Sequence, residues 1–393
     1  MAIDSQVYKE LRIVPVRFER ATTGDPDITM PDLDDRGHNT KVPTVNGLGT
    51  SKELRGPVVG LLQAQTIKLR LVRELIDPAA PLYLVSSNES VVTVETPAKG
   101  TPVPDGAQSD IEIKGKAFTG STPKSAEIQV RFQSERGPII YALNVYVFGS
   151  RTLALTPHLV TIDDPAGGGG TAPAVNLADV MAQVSAIWAC CGVKFQVQPT
   201  RSWSIKLPTV DVMRWPDDVN AVTKKNFASG TMNVYFLRRI DDSCGLGLSR
   251  EFIKTDPWAK ANHLKKPGVF LAERCGGGAR STYWWANDLA HEIGHFLTLW
   301  HPSDGSTAGT EPSTGWPWAR YETWSMRFLM HNWNQTRRQK GIPPWTDHQD
   351  FGYGANNRGA LIPFKEVRSS AGAGRDAQCS HVRNYFDKGK KIY

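Results

Sequence analysis

The chain has no long apolar run, no block of basic residues and too few cysteines for a disulfide framework. Each shortfall removes a class of protein. Nowhere in the 393 residues do apolar side chains approach the ~18 in a row that a membrane helix needs. Residues 1–16 carry Asp4, Lys9, Glu10 and Arg12 where a Sec-type leader requires an apolar stretch, so the chain is expected to be cytoplasmic when made. The net charge of +7 is spread without a Lys/Arg block or nucleic-acid motif, which leaves a solvated basic surface and no nucleic-acid partner. Five cysteines are an odd number, and adjacent Cys190 and Cys191 are badly placed to bond to each other. Cys244 and Cys275 could pair, but buried free thiols are the expected state.

What is present describes a folded protein of more than one core. With 40% hydrophobic and 22% charged residues, 35 Gly and 26 Pro, the composition is globular and rich in turns. The length points to two domains. Residues 1–60, dense in Pro, Gly, Asp and Thr, read as an extended lead-in. Strand-like runs follow at 66–71, 82–85, 91–94, 111–113, 126–132 and 139–148, several alternating apolar with polar, which predicts a β-sandwich over 61–150. Residues 86–94 resemble bacterial immunoglobulin-like domains. The run Gly167-Gly168-Gly169-Gly170 lacks the Lys-Ser/Thr of a phosphate loop and reads as a flexible loop or linker. Beyond it, a helical pattern from Val175 to Trp188 and strands at 193–197, 232–237 and 268–272 predict an α+β domain over 151–393.

That second domain carries the chemistry. Residues 282–299 have apolar side chains at helical spacing, with Ser281 or Thr282 available as an N-cap. Positions four apart on a helix lie about 40° apart around its axis, so His291 and His295 can reach one metal ion. Glu292, offset by one residue, stands where a base takes a proton from a metal-activated water. This composition would produce His-Glu-x-x-His by chance on the order of 0.01 times per chain. Catalytic zinc sites have three protein ligands and one open position. The candidates for the third are His301, which leads, Glu322 and His331.

The run from His291 to His301 resembles the extended zinc motif of the metzincin metallopeptidases, whose third histidine has this spacing. The resemblance implies a metzincin-like α+β fold, a zinc cofactor held by His291, His295 and His301, and a protein or peptide substrate. It implies a cleft in which an extended peptide adds to a sheet edge, here 268–272 or 246–249. It also implies a methionine turn beneath the metal, best matched by Met330, with Met326 second. Metzincins have glycine where this chain has Thr298. The chain must leave the helix there, because an unbroken helix would turn His301 about 240° away from His295.

The implied reaction is peptide hydrolysis by a zinc-activated water with Glu292 as general base. Tyr283, Tyr321, His331 and His348 are all open as oxyanion donors. Tryptophans 284, 285, 300, 316, 318, 324 and 333 serve core packing or shape a substrate pocket. The rival functions are a binding or structural protein with a non-catalytic zinc, which would have no need of Glu292, and a zinc hydrolase of non-peptide amides. The motif, the immunoglobulin-like module and the missing leader together resemble bacterial metallopeptidase effector toxins exported by specialised secretion machines. That implies a secretion or immunity partner.

Overall fold

The computed structural model describes residues 15–21, 33–34, 58–117, 124–189, 191–241, 243–275, 278–279, 282–299 and 382. Among the described residues the first half is all strand: β1 (Val16–Arg20), β2 (Leu33–Asp34), β3 (Val58–Leu62), β4 (Thr66–Arg73), β5 (Leu82–Ser86), β6 (Val92–Thr96), β7 (Gln108–Gly115), β8 (Lys124–Phe132) and β9 (Ile139–Phe148). One sheet has the order β1-β4-β7-β6 and the other β2-β3-β9-β8-β5.

Period-two alternation explains why these strands face one another. In β4, Ile67, Leu69 and Leu71 are buried while Thr66 and Lys68 are exposed. The β7 register sets Ile113 and Ile111 opposite Ile67 and Leu69. Leu84, Ile128, Val130, Val145 and Val147 of the other sheet complete the same apolar core. Part of the lead-in joins it too, since β1 pairs antiparallel with β4 and buries Val16 and Phe18. At one end the buried Arg73 guanidinium donates from Nη1 to the carbonyls of Pro104 (2.9 Å) and Gly106 (2.8 Å), tying down the connection to β7.

The second half interleaves helices with strands. It begins with β10 (Arg151–Asp163), α1 (Leu177–Ala189), β11 (Val193–Val197), β12 (Arg201–Lys206), β13 (Val212–Met213) and α2 (Val219–Lys225). It continues through β14 (Met232–Leu237), β15 (Arg239–Ile240), β16 (Gly245–Leu248), α3 (Arg250–Thr255), α4 (Pro257–Ala261), β17 (Gly268–Ala272), β18 (Arg274–Cys275), β19 (Gly278–Ala279) and α5 (Thr282–Phe296). The main sheet has the order β11-β10-β14-β17-β16, with β12 also along β10. Pairing is parallel except for β16, which runs antiparallel to β17.

Both faces of this sheet are covered. Leu153, Leu155, Val234, Phe236, Val269 and Leu271 pack with residues of α1 and α5. The alternate residues Val160, Ile162, Tyr235, Leu237, Phe270 and Ala272 form a second core with residues of α2, α3 and α4. The glycine run follows β10 and is anchored there: Gly170 N–H donates to Asp163 Oδ1 (3.0 Å) and Thr171 N–H to Asp211 Oδ1 (2.6 Å). Just beyond, Ala174 N–H donates to Glu273 Oε2 (3.1 Å), whose other oxygen pairs with Arg238.

His158 on β10 is the polar centre of the second core. Trp203 Nε1–H can only donate, so His158 Nδ1 accepts it (3.1 Å). Nε2 therefore carries the hydrogen and donates to Asn233 Oδ1 (2.9 Å). Asn233 in turn bonds to the backbone of Ala228 and Thr231. The ring also stacks on Tyr235, with centroids 4.6 Å apart. Burial, assisted by the charge of Arg201, holds the His158 pKa down at about 4. Its unfolded value is near 6.5, so the unfolded chain binds the proton first, and this stability is present in full above pH 6.5 and lost as pH falls toward 4. Denaturant titrations with chelator at pH 7 and pH 4 should show a loss about 3 kcal/mol larger for the wild type than for His158→Phe. Equal losses would contradict the neutral buried imidazole.

Candidate metal centre

Helix α5 is held in place by apolar residues that recur once per turn. Trp285, Leu289, Ile293 and Phe296 are buried in the core shared with α1. Trp285 sets its edge against Phe236, with centroids 5.4 Å apart. From α1, buried Trp188 donates Nε1–H to the carbonyl of Ala290 (3.3 Å), one residue before His291. This packing leaves His291 and His295 half-buried on an adjoining stripe, with ring centroids 4.9 Å apart and planes 82° apart. Glu292 between them is only 9% exposed.

The helix ends in a way that orients one of these rings. Leu299 N–H bonds to the Gly294 carbonyl (2.8 Å) and Thr298 N–H to the His295 carbonyl (2.9 Å), the pair of bonds that closes a Schellman turn. Thr298 sits at φ +69°, so the chain does leave the helix at the position where the sequence made an exit doubtful. The reversal brings the Leu299 carbonyl to 2.9 Å from His295 Nδ1. A carbonyl can only accept, so Nδ1 carries the hydrogen and, in the neutral ring, Nε2 carries the lone pair.

On the other flank, β16 touches α5 with backbone alone. A Cβ on Gly247 would stand 2.1 Å from the Glu292 carbonyl oxygen and 2.7 Å from His295 Cβ. One on Gly245 would stand 2.9 Å from both Cγ and Oε1 of Glu292. Two alternate glycines thus clear one strand face for the helix, while Leu246 and Leu248 point into the opposite core. The signal was legible as Gly-x-Gly in a short strand. Sequence reasoning noticed the segment only as a sheet edge.

Of the sequence-predicted site, the structure brings together His291, Glu292 and His295. His301, Glu322, Tyr321, Met326, Met330, His331 and His348 lie outside the described residues, as does the Tyr283 side chain. Among the described residues, no three His, Cys, Asp or Glu side chains stand close enough to hold a metal ion by themselves. Of the two candidate edges, 246–248 of the 246–249 segment lies in β16, the outer strand among the described residues, and 268–272 lies inside the sheet. The expectation of free thiols is overturned, since Cys191 and Cys244 are both disulfide-bonded. Sequence spacing could not show this, because it does not say which distant segments meet.

The glycine contact is testable. Gly247→Ala should force β16 away from α5, lowering both the melting temperature and the zinc affinity measured by chelator competition. Ser249, whose hydroxyl caps α3 by accepting from Phe252 N–H (2.9 Å), is the matched control. Ser249→Ala should cost about 1 kcal/mol of stability and leave zinc affinity alone. Unchanged zinc binding in the Gly247 variant would show that the strand does not place the helix.

No protein-family model matches the chain. Over 191 residues it is 27% identical to an extracellular metalloprotease of Colletotrichum graminicola, an alignment covering 44% of this chain. The chain spans 60% of that relative's length. A likeness to a sialyltransferase from Photobacterium damsela has a TM-score of 0.18 at 7% identity, covers 46% of this chain and 35% of that one, and carries no argument. The chain is thus similar, over less than half its length, to a protein named as a metalloprotease.

Proposed function

We propose that this chain is a zinc-dependent endopeptidase with a metzincin-like catalytic domain. The observation that carries the reading is the arrangement on α5, where the rings of His291 and His295 stand with centroids 4.9 Å apart beside buried Glu292, and the His295 Nδ1–H is committed to Leu299 O. The residues fit zinc: two imidazoles from adjacent turns, one with its tautomer set, stand beside a buried carboxylate. The resemblance to an extracellular metalloprotease supports the same reading.

His291 and His295 would hold the zinc, with His301 the third ligand. The left-handed turn at Thr298 supports His301 over Glu322, because it removes the unbroken helix that would aim His301 away. Zinc, when bound, supplies a Lewis acid and lowers the pKa of a water to near neutrality. Glu292 takes the proton of the attacking water on its carboxylate and delivers it to the leaving amine. Its burial against Gly245 keeps that carboxylate out of bulk water and in one place. β16, the outer strand among the described residues, would offer main-chain groups to an extended peptide without reading its sequence closely. The disulfide-bonded cysteines and the extracellular relative support work in an oxidising compartment, reached after export.

Two experiments test this. Glu292→Gln should keep its zinc and melting temperature but lose at least ~10²-fold in cleavage of a broad peptide library. Full activity in that variant would remove Glu292 from the mechanism. Replacing both His291 and His295 by Ala should abolish stoichiometric zinc in elemental analysis, since no competent pair is left. Retained zinc would place the metal elsewhere.

A further inference from the structure

Cys191 and Cys244 are each disulfide-bonded, and the sequence holds three other cysteines, Cys190, Cys275 and Cys379. The topology of the main sheet decides which of them can meet. Cys191 lies in the turn from α1 into β11, where its N–H donates to the Trp188 carbonyl (3.0 Å). Val193 then pairs with Arg151 at the start of β10, so Cys191 stands at the N-terminal end of the parallel strands. Cys244 stands at the other end, its carbonyl accepting from the N–H of Ala272, the last residue of β17 (3.0 Å).

The register gives the separation. Leu159 of β10 pairs with Phe236, Phe236 with Leu271, and Leu271 with Gly245. Leu271 is therefore level with Leu159, eight residues along β10 from Arg151, and three strands across from β11. At about 3.3 Å per residue along a strand and about 4.8 Å between strands, Val193 and Leu271 are roughly 30 Å apart. A disulfide needs Cα atoms within about 7 Å of each other. Cys191 is two residues from Val193, and Cys275 four from Leu271; at ~3.5 Å per residue this chain cannot span the gap. Cys244, next to Gly245 and one strand further out, is no nearer. Cys191 bonds to neither.

Two partners remain for Cys191. Cys190 is its neighbour in sequence, and consecutive Cα atoms, about 3.8 Å apart, are closer than a disulfide ordinarily spans. Cys379 is three residues before Val382, whose fully buried side chain belongs to the same core as Cys191. That leaves Cys275 for Cys244, three residues beyond the Ala272 that Cys244 faces.

We infer the connectivity Cys191–Cys379 and Cys244–Cys275, with Cys190 the odd thiol. Each bridge forms when two thiols give up two protons and two electrons, which reduce one disulfide of a thiol–disulfide oxidant to two thiols. The first bridge closes a loop that contains α5 and all the candidate zinc ligands. The second fixes the residue before Gly245, and with it the strand whose glycine face abuts Glu292. The connectivity is independent of the zinc reading, and its test reads no activity.

The test is a peptide map of the full chain, produced in an oxidising compartment, alkylated without reduction and cut with trypsin. The cysteines fall on four tryptic peptides, 152–194 with Cys190 and Cys191, 240–250 with Cys244, 275–280 with Cys275 and 376–383 with Cys379. Mass spectrometry should find the first joined to the last and the middle two joined to each other, with fragmentation placing the alkyl group on Cys190. Cys190→Ser should give the same two links. A link from 152–194 to 240–250 or 275–280, a bridge carried by Cys190, or a chain without both bridges would overturn the inference.

Discussion

The approach of β16 to α5 is the constraint on which the rest of the site depends. Because Gly245 and Gly247 present no side chains to the helix, a sheet edge and a helix meet at backbone distance. Any other residue at 247 would have to overlap the Glu292 carbonyl. On the opposite flank, Trp188 bonds to the Ala290 carbonyl from α1. The helix is therefore gripped from two sides within three residues, 290 to 292, by contacts that involve its own backbone. Side chains projecting from such a segment inherit its precision, which loops seldom provide.

The departure of the chain after Phe296 is the second constraint, and it conflicts with local preference. A threonine in the left-handed region costs on the order of 1–2 kcal/mol relative to its ordinary conformations. Two Schellman bonds, the burial of Leu297 and Leu299 and the bond from His295 Nδ1 all depend on that conformation, and together they offset the cost. Strain at a residue persists when its surroundings over-determine it. Here the surroundings include a candidate metal ligand, so one turn stops the helix, sets a tautomer and redirects the chain toward His301.

How much of this was legible in the sequence follows from the range of each interaction. The helix over 282–296 and the relation of His291, Glu292 and His295 depend on spacing within four residues, and spacing is written in the sequence. The strands of the first half were legible for the same reason, since alternation is local. Val16 and Phe18 were lost among the Pro and Gly of the lead-in, although Val-Arg-Phe-Glu-Arg alternates as cleanly as the later strands. The disulfides at Cys191 and Cys244 and the glycine face of β16 depend on segments far apart meeting in space. No local pattern encodes those meetings. Thr298 is an intermediate case: sequence identified it as the decisive position, but residue preference pointed away from the conformation it adopts.

The described histidines of the second half also show why the residue type alone does not identify a metal ligand. His158 is fully buried and spends both nitrogens, accepting from Trp203 and donating to Asn233, so no lone pair is left for a metal or a substrate proton. His295 commits its Nδ1–H to Leu299 O and stays half-buried, so in the neutral ring the lone pair is on Nε2. A ring already satisfied on both sides stabilises the fold around it. One satisfied on a single side by a group that can only accept is oriented for ligation.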